Sequence, residues 1–424
     1  MVSSRRRRCL SYRFWFCSVA IFICCACADR KRLNPLDPEN PDTLGQPTGL
    51  SVTSVRDTVI LRWDQLPLRD LGGFRIYRRR EGETRFSSVA LAPPAGSFRD
   101  LGVSLGLSHA YRISVVAENF ESPLSDSVRI TPGPTFSWVA DASSGALIAL
   151  SHDGQHEISR AAAFGLPQRL QIDAPRRQVW VLDRFGGEFG RVTLNGQRTL
   201  NAKRIFGAWD LAVDKTDGSI WVADSLTNGL LKFDSTGALS KMLESYKQLV
   251  ALAVHPQTAE LWALDRATLR VLIFSRAGEL RRTLSVALQR PLDLDIDGRT
   301  GKVWIADGRR VLRLNANGDE EPLPPAVYRL AYRVAADEIS GGCWLIDFST
   351  AIRGSDVIKL SAAGAILFTS KGFDLPERVA ANPYDGSGLV ADFGNGRLVR
   401  LSAGGRVEGT YDRIFSPIDV DTAQ

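Results

Sequence analysis

Seven aspartates recur at a near-constant step in this 424-residue chain: Asp141, Asp183, Asp224, Asp265, Asp307, Asp347 and Asp392. Seven carboxylates converging on an axis could hold a metal ion. Each also sits beside a turn of its own, where a carboxylate serves by accepting backbone N–H bonds from the following loop. A second recurring position carries Arg169, Asp210, Ala251, Asp293, Arg333, Arg378 and Pro417. Five of these seven are charged, and both signs are present. Such a set either neutralises itself as a ring of ion pairs, with Asp293 beside Arg333, or forms a polar platform for a ligand. The four histidines share no repeated position. His109 lies early, His152 and His156 share one turn, and His255 takes the place of a turn aspartate (Leu252-Ala-Val-His255 against Leu211-Ala-Val-Asp214). A zinc or histidine-based site is therefore not expected, and neither a G-x-S-x-G elbow nor a glycine-rich phosphate loop is present. No cofactor is expected.

The elements that position these residues are written in the same repeat. Each aspartate closes a unit of Trp, two apolar residues and Asp, beginning at Trp138, Trp180, Trp221, Trp262, Trp304 and Trp344; Leu389 replaces Trp in the seventh. The steps between first residues are 42, 41, 41, 42, 40 and 45. A period near 40 with four short apolar strands per unit is the pattern of a β-propeller blade, so the expectation is an all-β chain with seven blades. In the third copy, Leu211-Ala-Val213 is the inner strand, Thr216-Asp-Gly218 the hairpin turn, Ile220-Trp-Val-Ala223 the second strand and Leu230-Leu-Lys-Phe233 the third. The tryptophan is expected to fill the widening gap between blades, burying roughly 150–250 Å². No inner strand precedes Trp138, whereas Pro417-Ile-Asp-Val-Asp421 has no tryptophan unit after it. The C-terminus should therefore supply the innermost strand of the first blade.

The unit Leu211-Ala-Val-Asp214, Gly218-Ser-Ile-Trp-Val-Ala-Asp224, Leu231-Lys-Phe-Asp-Ser-Thr-Gly237 resembles the NHL-repeat propeller family over residues 134–424. The resemblance implies a fold more than an activity, because that family includes RNA binders, protein-interaction platforms, lyases and lactonase-like enzymes.

Net charge is +6, but Arg5, Arg6, Arg7, Arg8 and Arg13 fall within residues 1–26, which hold no acid; without them +6 becomes +1. No general case for nucleic acid remains. Residues 1–26 read as a signal peptide, with an arginine cluster followed by the apolar run Phe14–Cys25, which is shorter than the roughly 20 residues a membrane-spanning helix needs. Cys24-Cys25-Ala26-Cys27 resembles a bacterial lipoprotein processing site, which implies lipidation at Cys27; Cys24 or Cys25 as acceptor, plain secretion and an uncleaved anchor stay open. By the same resemblance, Ala28 favours the outer membrane. Five of six cysteines lie in this segment, leaving Cys343 as a small buried apolar residue.

Residues 27–46 read as a proline-rich tether, extended and semi-stiff. Residues 47–133 alternate apolar and polar (Val59, Leu61, Trp63; Phe74, Ile76; Tyr111, Ile113, Val115, Ala117), as in a seven-stranded immunoglobulin-like sandwich. Trp63, Tyr111 and Tyr111-Arg-Ile-Ser-Val-Val-Ala-Glu-Asn119 resemble a fibronectin type III domain.

The functional expectation is an envelope-anchored, non-catalytic binding or scaffold lipoprotein. It would present the propeller face carrying Arg169, Asp210, Asp293, Arg333 and Arg378 to a protein, peptide or glycan partner. The loops after each aspartate, with Arg184, Phe185, Arg266, Arg309, Arg310, Phe348 and Phe393, open on that face. The alternative is an NHL-type lyase or lactonase-like enzyme acting on a small extracytoplasmic substrate.

Overall fold

A computed structural model describes residues 34–424 except 67–69, 119, 162–163, 184–186, 203–204, 206, 227–228 and 247; the signal segment, Cys27, Arg184 and Phe185 lie outside the described residues. The chain is all-β. It divides into two compact units, one of Leu61–Phe98 and His109–Arg129 with the N-terminal residues to Ser51, the other of Val52–Ile60, Arg99–Ser108 and Ile130–Gln424.

Residues 34–46 are not extended. Asn34, Asp37 and Asn40 each accept a hydrogen bond from the backbone N–H two residues on, and the segment winds through consecutive turns. The residue types explain this correction: an Asx residue at every third position offers the backbone a local partner, which outweighs the proline preference for extension.

In the first unit, Gly73–Arg80 pairs with Ser87–Ala92 and with His109–Ala117, to which Phe120–Glu121 and Val128–Ile130 add. Phe74, Ile76, Tyr111, Ile113 and Val115 are buried as their alternation requires, and the Trp63 ring lies 5.0 Å from Phe74. Apart from the first unit's sheet, Ser51–Val55, Thr58–Arg62 and Ser97–Asp100 form a three-stranded sheet.

Among the described residues, seven four-stranded antiparallel sheets follow, six of them built from consecutive strands. The remaining sheet runs Glu157–Ala161, Ala146–Leu150, Phe136–Asp141, Pro417–Ala423, so the C-terminal strand pairs with the strand of Trp138, Asp421 opposite that residue. The innermost strands neighbour one another in order: Pro417–Ala423, Pro167–Asp173, Ala208–Val213, Leu249–Val254, Pro291–Ile296, Ala331–Asp337, Pro376–Ala381, and back to Pro417–Ala423.

The apolar clusters span pairs of sheets. Trp180 packs with Leu211, Val213 and Val222 of the next sheet, Trp221 with Leu252 and Leu261, Trp304 with Val334 and Cys343. Leu389, in the tryptophan's place, packs with Val139, Ile148 and Val420 of the first. All six repeat tryptophans are fully buried.

The repeat aspartates are buried, and they divide between the loop that follows them and the loop that leads into their sheet. Asp224 and Asp265 serve the following loop, accepting from the N–H groups of Leu226 and Ala267 at 2.9 and 3.0 Å. Asp183, Asp307, Asp347, Asp392 and Asp141 accept backbone N–H bonds from the loop that leads into the inner strand of their own sheet, at Leu166, Arg290, Leu330, Asp374 and Ser416, and Asp141 and Asp392 also accept from the Ser144 and Asn395 side chains of the following loop. The reason is topological. In an antiparallel sheet, the end of the second strand lies beside the start of the first, so the nearest unpaired donors are there.

Candidate functional site

Each inner strand begins with a register shift, for example between Pro167 and Arg169 and between Pro417 and Asp419. After it comes one residue facing its equivalents around the axis. The structure brings Arg169, Asp210, Ala251, Asp293, Arg333 and Arg378 to that position, but the seventh member is Asp419, not Pro417. Pro417 matches Pro167, Pro291 and Pro376 instead, one step before the shift. The layer therefore holds three arginines, three aspartates and Ala251.

Arg169 pairs with Asp210 at 3.3 Å and with Asp419 at 3.7 Å; Arg378 pairs with Asp293 at 3.3 Å and Asp419 at 3.5 Å. Asp293 is thus joined to Arg378 rather than to Arg333, because a guanidinium stem is long enough to pass the adjacent strand. Arg333 lies 4.2 Å over the Tyr332 ring and donates to the carbonyl oxygens of Leu292 and Glu377 and to the Tyr332 hydroxyl. One oxygen of each aspartate also bonds the neighbouring inner strand: Leu170 N–H to Asp419 at 2.8 Å, Leu252 N–H to Asp210 at 2.8 Å, Val334 N–H to Asp293 at 3.1 Å. All but Arg378 are buried, and about a quarter of the Arg378 side chain is exposed.

Burial raises the carboxyls of Asp210 and Asp419 above the ordinary range, against the pull of Arg169 and Arg378. Burial works against the charge on Arg378, but Asp293, Asp419, Asp210 and Asp295 outweigh it and hold its guanidinium above its ordinary value. Five of the six charged groups form a plug of mutual ion pairs, and Arg333 is held beside it by carbonyl oxygens and Tyr332.

One step further along the same strands a second layer repeats the inter-strand bond. Ile172, Val213 and Ala336 donate N–H bonds to Asp421, Gln171 and Asp295 at 2.8, 2.6 and 2.8 Å. Below the plug is a cavity of about 540 Å³, floored by Arg169, Asp210, Arg378 and Asp419. Its wall carries Asp295 and Asp421, and it ends among exposed Lys215, Thr216, Pro256 and Gln424. Its mouth is therefore at the hairpin-turn end, opposite the loops that follow the repeat aspartates. Burial pushes the Asp295 carboxyl up to about 7, against the Ala336 N–H and Arg378.

The loop end carries a different surface. Trp209, Leu226, Leu269, Val327, Ile352 and Phe415 stand in loops or strand starts there, with exposures from 38% at Trp209 to 85% at Ile352. Arg266, Arg309 and Arg353 are exposed among them, Phe348 and Phe393 half-buried, and Arg310 is paired with Asp307 at 2.9 Å.

The histidines stay apart. His255 Nδ1 accepts from Gln257 and Thr258 N–H at 3.3 Å, doing the turn aspartate's work. His152 is buried against Thr135 at 2.5 Å, with Asp385 3.6 Å away, and burial pulls its pKa down to about 4. Among the described residues, no group of three His, Cys, Asp or Glu is disposed to hold a metal.

A further regular feature lies on the third strand of several sheets. On the third strand, Arg191, Lys232, Arg313 and Lys359 lie over Trp180, Trp221, Trp304 and Trp344 at 5.3, 5.1, 5.3 and 4.5 Å. Each donates onward to a backbone oxygen of the next sheet: Ser235, Arg276, Ala362 and Gly386. Arg400 does the same to His152 O. A basic residue amid the apolar third strand of five copies is the mark that would have found them.

No protein-family model matches the sequence, and no curated protein matches it. Solved structures do. A functionally unknown protein from Desulfotomaculum acetoxidans aligns at 13% identity over 67% of this chain and 98% of its own, with a TM-score of 0.57. The fold is β-propeller-like. A protein from Bacteroides uniformis, provisionally assigned as a 6-phosphogluconolactonase, aligns at 13% identity over 68% of this chain and 99% of its own, with a TM-score of 0.57. Virginiamycin B lyase from Staphylococcus aureus aligns at 14% over 58% and 83%, TM-score 0.47. At such identities the likeness concerns the fold alone.

Proposed function

We propose that this chain is an envelope-anchored, non-catalytic binding or scaffold lipoprotein. In this reading, Cys27 is lipidated and holds the protein at the outer membrane. Residues 47–133 form a fibronectin type III-like spacer, and residues 134–424 form a seven-bladed NHL-like propeller closed by its C-terminal strand. The partner is a protein, peptide or glycan met at the loop end. The observation that carries the reading is the exposed set Trp209, Leu226, Leu269, Val327, Ile352 and Phe415 interleaved with Arg266, Arg309 and Arg353. Apolar anchors flanked by arginines are the composition of interface centres, and soluble surfaces seldom collect them without use. The five-residue charged set supports this end from beneath, as the paired plug that keeps the loop platform rigid.

The test is site-specific photo-crosslinking in intact cells. A crosslinker at Ile352 or Phe415 should give a discrete adduct, and one at Ile339, which is 51% exposed on a hairpin turn of the opposite end, should not. Equal labelling from both ends, or none from either, would reject the loop end as the binding face.

A further inference from the structure

The cavity beneath the ion-paired plug is a site of its own. Its floor is the ion-paired layer, and its lining runs to the turn end, away from the proposed partner face. Past the floor, the charged residues of its wall are Asp295, Asp421, Glu338, Asp214 and a single base, Lys215. Asp214 is committed to Arg276 at 2.8 Å. Among the described residues, none of Asp295, Asp421 and Glu338 is in an ion pair. Asp295 and Asp421 each take two backbone N–H bonds, from Ala336 and Ile296 and from Ile172 and Thr422. A carboxylate has about four acceptor sites, so each keeps capacity for further donors.

Asp419, at the floor, is only 2% exposed and stands between Arg169 and Arg378 at 3.7 and 3.5 Å, so it belongs to the plug. Between these carboxylates the wall is aliphatic, with Val213, Val254, Ile296 and Ala336, and no aromatic ring lines it. A quaternary ammonium would lack a cation–π surface there. A protonated primary amine on a methylene chain would meet both the acceptors and the aliphatic wall.

We infer that this cavity binds a small aliphatic amine or diamine, taken from the turn end and held by Asp295 and Asp421. The volume of about 540 Å³ lies within the roughly 300–1,000 Å³ range of small-molecule sites. Binding should depend on pH. The groups facing Asp295 are Arg378, Asp293 on its own strand and the buried Cys343 thiol. With Asp295 titrating at about 7, its ionised fraction rises about tenfold between pH 6 and pH 8.

The experiment is calorimetry on the full-length protein with four probes of similar length: putrescine, 1,4-butanediol, succinate and 4-aminobutyrate, with choline as a fifth. Putrescine should bind best, up to about tenfold tighter at pH 8 than at pH 6. This profile needs no substitution. Asp295→Asn should flatten it, and Val254→Phe, which narrows the wall, should weaken binding at both pH values while the melt holds. Absence of putrescine binding, a preference for choline, 4-aminobutyrate or succinate, or equal binding of butanediol would overturn the assignment.

Discussion

At the scale of single residues, the charged set is decided by pairing and burial. Arg378 neutralises Asp293 and Asp419 at 3.3 and 3.5 Å. Removing one partner of a buried pair leaves an uncompensated charge, so Arg378→Ala should cost about 3–5 kcal/mol in a denaturant melt, reduced by its partial exposure. A loss below about 1 kcal/mol would show that the plug is not structural. Asp295 makes a pH prediction. Burial raises its pKa from 3.8 to about 7, so its neutral form stabilises the fold fully below pH 3.8, and that stability is lost as pH rises through 7. Asp295→Asn mimics the neutral form. Its stability advantage should therefore grow between pH 5 and pH 8, by on the order of 3 kcal/mol at most, less because the group borders the cavity. His152, held down at about 4, loses stability in the opposite direction as pH falls from 6.5, but it does so in both proteins and cancels in the comparison.

At the scale of elements, each sheet is tied to the next in three ways: a repeat tryptophan, a carboxylate from one inner strand to the next, and a basic staple from the third strand. Trp221 belongs to the cluster that holds Leu252, Leu261 and Ala263 of the following sheet, and Lys232 lies over its ring. Trp221→Ala should cost about 3–5 kcal/mol, the range for truncating a buried aromatic, read by urea titration. A cost under about 1 kcal/mol would mean that the sheets do not depend on that wedge. The tryptophans, the turn aspartates and the His255 substitution were all legible in the repeat, because each acts within one sheet or against its neighbour. Residues 34–46 turn rather than extend, because three local hydrogen bonds at Asn34, Asp37 and Asn40 outweigh three prolines.

At the scale of the whole molecule, the strand Pro417–Ala423 joins the two ends of the repeat region, paired with Phe136–Asp141 and flanked by Pro376–Ala381 and Pro167–Asp173. Without it Phe136–Asp141 becomes an unpaired edge and Asp419 leaves the plug. Deleting residues 416–424 should lower the melting temperature and produce aggregates in size-exclusion chromatography; a deletion variant as stable and monomeric as the parent would contradict this. The proposed anchoring is tested by Cys27→Ser, which should move the protein from membrane to soluble fractions when it is expressed with its own signal.

The repeat by itself determined the strand pattern, the buried tryptophans, the turn chemistry and the pairing of the C-terminal strand, since these follow from periodicities of two residues and of about 40. Five members of the charged layer were legible as equivalent positions for the same reason. The sixth, Asp419, was hidden because the register shift after Pro417 displaces the alignment by a step that only the paired strands reveal. Which carboxylate meets which guanidinium, and which residues line the cavity, were decided by the tertiary structure alone. Those residues come from strands far apart in the chain, and their mutual distances exist only once the inner strands surround a common axis.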